Sequence, residues 1–280
     1  MSDDAASSWY DEGYTGMKKE EDRISQLGGP QRVWVKPQTS GEFVFIDEDP
    51  FCFYEHNPKM NGHWRNWITC VKGMADSAPC CDEIGEKTRY YVGYYTVVDC
   101  SKWTDKKGNT YQYEVKFLPA KLKTLKKFKR KKEDRIQGGA SGLIGCLYKS
   151  HRDDEKSPSI GDEFEFQREV DLVKLFQVAN YKGKKLSELF AKAAEDASSL
   201  EKLKKVFNVK VDKDGKLPAI IPTFNYISQL APKSVKDLKE LLQDSVESSG
   251  DEPSSFGKGK GGDKSGGDKK ASGADENVPF

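Results

Sequence analysis

Long apolar runs are what this 280-residue chain lacks most clearly. No stretch approaches the roughly 18 consecutive apolar residues of a membrane-spanning helix, so no membrane partner is expected. The opening residues, MSDDAASSWYDEG, are acidic and have no apolar centre; they do not read as a signal peptide, and a cytoplasmic protein is expected. Six cysteines are too few for a disulfide scaffold, and in a reducing compartment free thiols or metal ligation are the expectation. No glycine-rich loop cradles a nucleotide, because GGASG (138–142) lacks the Lys-Ser/Thr of a P-loop. His151 has acids nearby but no nucleophile partner, and the consecutive Asp153, Asp154 and Glu155 point in different directions, as in a solvated loop. The chain therefore reads as a non-enzyme. A net charge is missing too: Lys and Arg number 46 against 45 Asp and Glu. That balance conceals a basic middle between acidic ends, and only the local field matters to a polyanion.

The basic middle is the most informative stretch. Residues 89–119 carry Tyr90, Tyr91, Tyr94, Tyr95, Trp103, Tyr111, Tyr113 and Phe117, and between Lys121 and Arg135 nine Lys or Arg stand against Glu133 and Asp134. Aromatic faces stack on bases and cations neutralise phosphates, so this pairing suits a single-stranded nucleic acid. Strands favour aromatics in any case, and lysines cover many solvated helices.

In chain order, residues 1–31 read as a polar arm. Residues 32–36 (RVWVK), 42–47 (EFVFID) and 51–56 (FCFYEH) alternate like short strands between turn signals. Residues 57–88 break that pattern as an inserted loop holding His63 and three cysteines. Strands resume at 89–99 and 111–119 as a hairpin around DKKGN, and a helix over 120–136 spaces Leu122, Leu125 and Phe128 on a narrow apolar face. Residues 143–150 and 163–168 add two strands. This predicts a mainly β, α+β core over 32–178: a five-stranded barrel of the oligonucleotide-binding (OB-fold) style with an inserted loop subdomain. Two helices over 179–246 extend it, the second capped by Ser234. Residues 247–280 read as a disordered linker of Gly, Ser, Asp and Lys. It ends in DENVPF, where Asp275, Glu276, Pro279 and Phe280 form a tip suited to docking a Phe in a pocket while basic residues hold the carboxylates.

The chain resembles the single-stranded DNA-binding proteins of tailed bacteriophages, relatives of the gene-32-type helix-destabilising proteins. The phrases that carry this are FCFYEHN (51–57), NGHWRNWITC (61–70), YYTVVDCSKWTDKKGN (94–109), VKFLPAK (115–121) and SPSIGDEFEF (157–166). The DENVPF tip is similar to the acidic tails by which bacterial single-stranded DNA-binding proteins recruit partners. The resemblance implies an OB-fold, sequence-tolerant binding of single-stranded DNA, and roles in replication, recombination and repair. It implies partner proteins recruited through the tip, and self-association on DNA is compatible with it. Two rival readings are a strand-annealing recombinase and an RNA-binding regulator.

The resemblance also implies a zinc site built from a His or Cys and later cysteines ending in C-x-x-C. Here His56, Cys70, Cys80 and Cys81 are the candidates, but Cys80 and Cys81 are adjacent where C-x-x-C would stand. Adjacent cysteines ligate one tetrahedral ion poorly, which leaves His56, Cys70 and Cys81 one ligand short. A degenerate site, its loop held by Trp64 and Trp67, is expected, with zinc the alternative. For DNA the expected contacts are Tyr91, Tyr95, Trp103, Lys106, Lys107, Tyr111 and Tyr113 from the strands and hairpin. Lys121, Lys123, Lys126, Lys127, Lys129 and Arg130 follow from the helix, and Arg152 and Lys156 from the later loop. Period-two alternation puts Tyr91 and Tyr95 on the face opposite Tyr90 and Tyr94, so both pairs cannot meet bases.

Overall fold

The structure is a computed structural model that describes residues 31–58, 67–85, 88–104, 108–214 and 216–247. Its centre is the strand β4 (Tyr90–Asp99), ten residues of aromatic and β-branched side chains that suit a pleated, buried position. One edge of β4 pairs antiparallel with β7 (Glu114–Lys121) from Val92↔Lys121 to Asp99↔Glu114. The other edge is shared by β1 (Thr39–Phe45) and β2 (Phe51–His56), which follow one another along it. At the break between them Ile46 N–H still donates to the Thr96 carbonyl, while the Thr96 N–H is taken by the Asp47 carboxylate. A buried donor left without a ladder partner is thus satisfied by a side chain.

The sheet continues through β8 (Cys146–Arg152) and β9 (Glu163–Glu169) beyond β1, and through the two-residue β10 (Asn180–Tyr181) and β11 (Lys184–Lys185) beyond β7. With β3 (Ile68–Thr69) on β2 it has nine strands, and its path ends at β11 on one side and β9 on the other. The expected closed five-stranded barrel is therefore not what forms: the fold is mixed α/β around an open sheet. Residues 32–36, expected as a strand, make a single parallel bridge between Arg32 and Phe117. From there Val35 turns to the Ser159 carbonyl, so the segment leaves β7 before a ladder can grow. A separate ribbon pairs β5 (Trp103–Thr104) with β6 (Thr110–Tyr111).

Seven helices occur among the described residues: α1 (Pro79–Asp82), α2 (Leu122–Gln137), α3 (Leu172–Val178), α4 (Leu186–Glu195), α5 (Ala197–Val206), α6 (Tyr226–Gln229) and α7 (Val235–Glu247). Apolar layers fill both faces of the sheet. On one, Val92, Tyr94, Val98 and Phe117 pack with Phe176, Phe190, Phe207 and Phe224 from α3 onward, so the helices after Val178 share a core with the strands. On the other, Phe43, Phe45, Tyr95 and Leu118 pack with Leu125 and Phe128 of α2. Tyr94 and Tyr95 fall in different cores, as alternation requires. Gly93 allows this close approach: a Cβ would stand 2.7 Å from Leu125 Cδ2 and 2.9 Å from Pro50 Cβ, so a side chain there would have to displace Leu125 of α2 and Pro50. A third, smaller core lies beyond the β2–β3 end of the sheet, in a lobe formed by residues 67–85 and covered by α7. None of these helices is long and apolar enough to cross a membrane.

Candidate functional site

His56, Cys70, Cys80 and Cys81 meet in that lobe. All four are buried, and one donor atom from each lies within 4.8 Å of the others. The Cys70 and Cys81 sulfurs are 3.6 Å apart, and Cys81 Sγ is 3.6 Å from His56 Nε2. A tetrahedron with metal–sulfur bonds of about 2.3 Å has S···S edges of about 3.8 Å, so these spacings suit a zinc-class cation. The fourth donor expected to be missing is supplied by Cys80. Neighbouring side chains point oppositely on an extended chain, but Pro79 starts the helical turn α1, where they diverge by only about 100° and both reach one side. The histidine is also set for ligation. Thr88 Oγ1 donates to the Gly85 carbonyl at 2.8 Å, so its contact with His56 Nδ1 at 2.9 Å must be accepted from Nδ1–H. Nε2 then keeps its lone pair, directed at the sulfurs, the usual outer support of a metal-bound imidazole. Burial and the nearby Arg89 charge lower the His56 pKa, and burial pushes the Cys81 thiol up to about 12 and raises Cys80. Without a cation the raised Cys80 and Cys81 thiols stay protonated at neutral pH beside a neutral imidazole.

Where the lobe joins the sheet, cations lie over exposed aromatic rings. Tyr54 on β2 pairs with Tyr91 on β4, their rings 5.2 Å apart edge to face; they are 43 % and 37 % exposed. The Arg89 guanidinium sits 3.8 Å over the Tyr54 ring, and among the described residues it has no ion-pair partner. On the opposite face the Arg32 guanidinium lies 3.6 Å over Trp67, itself 40 % exposed. Glu55 fixes Arg32 through two hydrogen bonds of 3.2 and 3.1 Å and accepts one of 2.6 Å from each of Tyr90 and Tyr94. Lys121 reaches 4.7 Å from the Tyr90 ring, and burial lowers its pKa. Lys121 is paired with Val92, so α2 begins one residue across from Tyr91. Lys123, Lys126, Lys129 and Arg130 are exposed along α2. Lys129 and Arg130 make only loose contacts with Glu133 at 3.7 Å and Asp134 at 3.9 Å. Screened exposed pairs of this kind hold such cations weakly.

No protein-family model matches the chain, and no curated protein is significantly similar to it.

Several sequence-predicted contacts move elsewhere. Tyr95 is 2 % exposed between Phe45 and Phe128 and belongs to the core. Arg152 is fully buried and spends its guanidinium on the carbonyls of Val35, Asp154 and Glu155, bracing the β8–β9 loop. Neither can meet a ligand without unfolding. Tyr113 adopts a left-handed φ of 56° and packs against the helical core, and Lys127 is held by the Asp162 carbonyl. Trp103 and Tyr111 stack at 4.3 Å and 14° across the β5–β6 ribbon, with the Lys116 ammonium 5.4 Å from the indole, so each covers one face of the other. Lys156 is exposed in its loop. Lys106, Lys107, His63 and the tip residues Asp275, Glu276, Pro279 and Phe280 lie outside the described residues, as do residues 1–30. Sequence reasoning missed Tyr54, Arg89, Trp67 and Arg32, although the FCFYEH alternation already set Tyr54 opposite in face to Phe53 and Glu55. It also missed a partner for His151: Ser40 Oγ is 3.1 Å from Nδ1 and Asp153 3.3 Å from Nε2. That chain of three is open to water, where neither the proton transfer nor an oxyanion would gain from a low dielectric.

Proposed function

We propose that this protein binds single-stranded DNA without strong sequence preference and holds it open during replication, recombination and repair. The observation that carries the reading is a shared face: the cross-strand pair Tyr54–Tyr91, with Arg89 over Tyr54, lies on the Tyr95 side of the sheet that α2 covers, and α2 exposes Lys123, Lys126, Lys129 and Arg130. Stacking platforms beside phosphate-neutralising cations form a groove that tolerates any base, since every base has a π-face. Binding single strands better than duplex draws melted DNA open by mass action. No catalytic step is assigned. A zinc-class cation at His56, Cys70, Cys80 and Cys81 supplies structural cross-linking of the lobe, and the Thr88-held imidazole and three thiols are the residues that hold it. The DENVPF tip recruits replication and recombination proteins.

Titrating labelled oligo-dT, oligo-rU and duplex DNA at two salt concentrations tests this. Tight, salt-dependent binding of dT over duplex supports it. A preference for duplex, or affinity indifferent to salt, contradicts it, and a strong preference for rU favours the RNA-binding alternative.

A further inference from the structure

The lobe beside the aromatic surface cannot hold itself together with its own apolar side chains. Among the described residues those that are buried are Ile68, Cys70, Val71, Pro79, Cys80 and Cys81, and three of the six are cysteines of the donor cluster. Its regular structure is the two-residue β3 and the four-residue α1. So little buried apolar area does not offset the entropy of ordering the chain. The core is completed from far along the sequence, by Leu238 at 0 % and Leu242 at 5 % exposure on one face of α7. The approach of α7 is fixed at its start. Ser234 Oγ accepts from the Asp237 N–H at 3.1 Å, and the Thr69 hydroxyl donates to the Leu230 carbonyl at 2.8 Å.

We propose that cation binding at His56, Cys70, Cys80 and Cys81 and the docking of α7 are coupled, each stabilising the other. The inference rests on the metal reading given under the proposed function. Its physical basis is that the four donors come from three separate places, the end of β2, the end of β3 and α1. β2 and β3 are already paired at Glu55↔Thr69 and His56↔Ile68, and without a cation the Cys81 of α1 meets them at the cluster through weak Sγ contacts of 3.6 Å. A cation locks β3 and α1 in the arrangement that Leu238 and Leu242 fill, and a docked α7 closes the apolar side of the cluster against water. Linkage makes the effect reciprocal: whatever factor the cation adds to docking, docking adds to cation affinity.

The test uses the full chain loaded with zinc. Hydrogen exchange of the 235–242 amides is measured before and after a chelator is added. Zinc release to a chromophoric chelator is timed for wild type, Leu238→Ala, Leu242→Ala and, as an exposed-face control, Lys239→Ala. Chelation is expected to speed exchange in α7 by about tenfold or more while β4 and β7 stay protected. Release from both leucine variants is expected to be faster by about tenfold, with Lys239→Ala like wild type. If Leu238→Ala also loses protection in β4, Leu242→Ala and the chelation experiment decide. Stoichiometric zinc with equal release rates and unchanged α7 exchange overturns the coupling and leaves the metal reading standing. Failure to bind zinc stoichiometrically overturns the metal reading, and the coupling with it.

Discussion

Thr88 accepts a hydrogen bond from His56 Nδ1 at 2.9 Å because its own hydroxyl proton is committed to the Gly85 carbonyl. One threonine thereby sets the tautomer of the imidazole that faces the cysteine cluster. Thr88→Val, which keeps the shape and removes the acceptor, is expected to weaken zinc binding by about 10–100-fold, read by competition against a chelator of known affinity. Thr88→Ser keeps the hydroxyl and is expected to bind like wild type. Equal affinity in all three proteins would refute the role given to Thr88.

Zinc affinity should rise with pH. Burial raises the Cys80 and Cys81 thiols, the latter to about 12, so both are protonated at neutral pH and must lose their protons to ligate. His56, lowered by burial, is already neutral there and releases none. Calorimetry in buffers of different ionisation enthalpy should therefore show net proton release on zinc binding. Binding without proton release would contradict this.

The two cores made Tyr91 and Tyr95 readable as different residues only once their partners were known. Alternation separates adjacent tyrosines, and in that sense the sequence already divided Tyr94 from Tyr95. It could not say that α2 would cover Tyr95 and stop short of Tyr91, because which strands a helix covers is a long-range matter. The same limit explains the sheet. Strand positions for β1, β2, β4, β7, β8 and β9 were legible from period-two runs. Their spatial order, the short β10 and β11, and the failure to close depend on pairings between distant segments. Arg152 misled for a simpler reason: a charged residue in a polar loop reads as exposed, and only the carbonyls of Val35, Asp154 and Glu155 make it a brace.

Tyr95 and Arg89 give opposite expectations when stability and DNA binding are measured side by side. Tyr95→Ala empties a space between Phe45 and Phe128 and should cost about 3–5 kcal/mol of stability in denaturant unfolding. Tyr95→Phe should leave DNA affinity unchanged. Arg89→Ala should barely alter stability but lower the salt dependence of dT binding by about 0.7 in log–log slope, the loss of one phosphate contact. An unchanged slope would remove Arg89 from the interface.

Asp47 predicts a pH dependence of folding. Burial raises its carboxyl from the ordinary 3.8 to about 6 while it accepts from Thr96 N–H and the Tyr226 hydroxyl. A group whose folded pKa is raised favours the folded state when protonated. Its contribution is therefore full below about pH 3.8 and is lost as pH rises through about 6. A rise of this size corresponds to about 3 kcal/mol. Asp47→Asn should flatten the stability profile between pH 4 and 7 relative to wild type, measured by urea unfolding; a parallel profile would contradict this assignment.

The most direct measurement compares wild type with the Tyr54→Ala/Tyr91→Ala double variant in oligo-dT titrations at one fixed salt concentration, after confirming equal unfolding midpoints. Base stacking on an aromatic is worth about 1–3 kcal/mol, so the variant should bind dT at least about fivefold more weakly while wild type prefers dT to duplex. Equal affinity of the two proteins for dT, or no preference of wild type for single strands, would contradict the account.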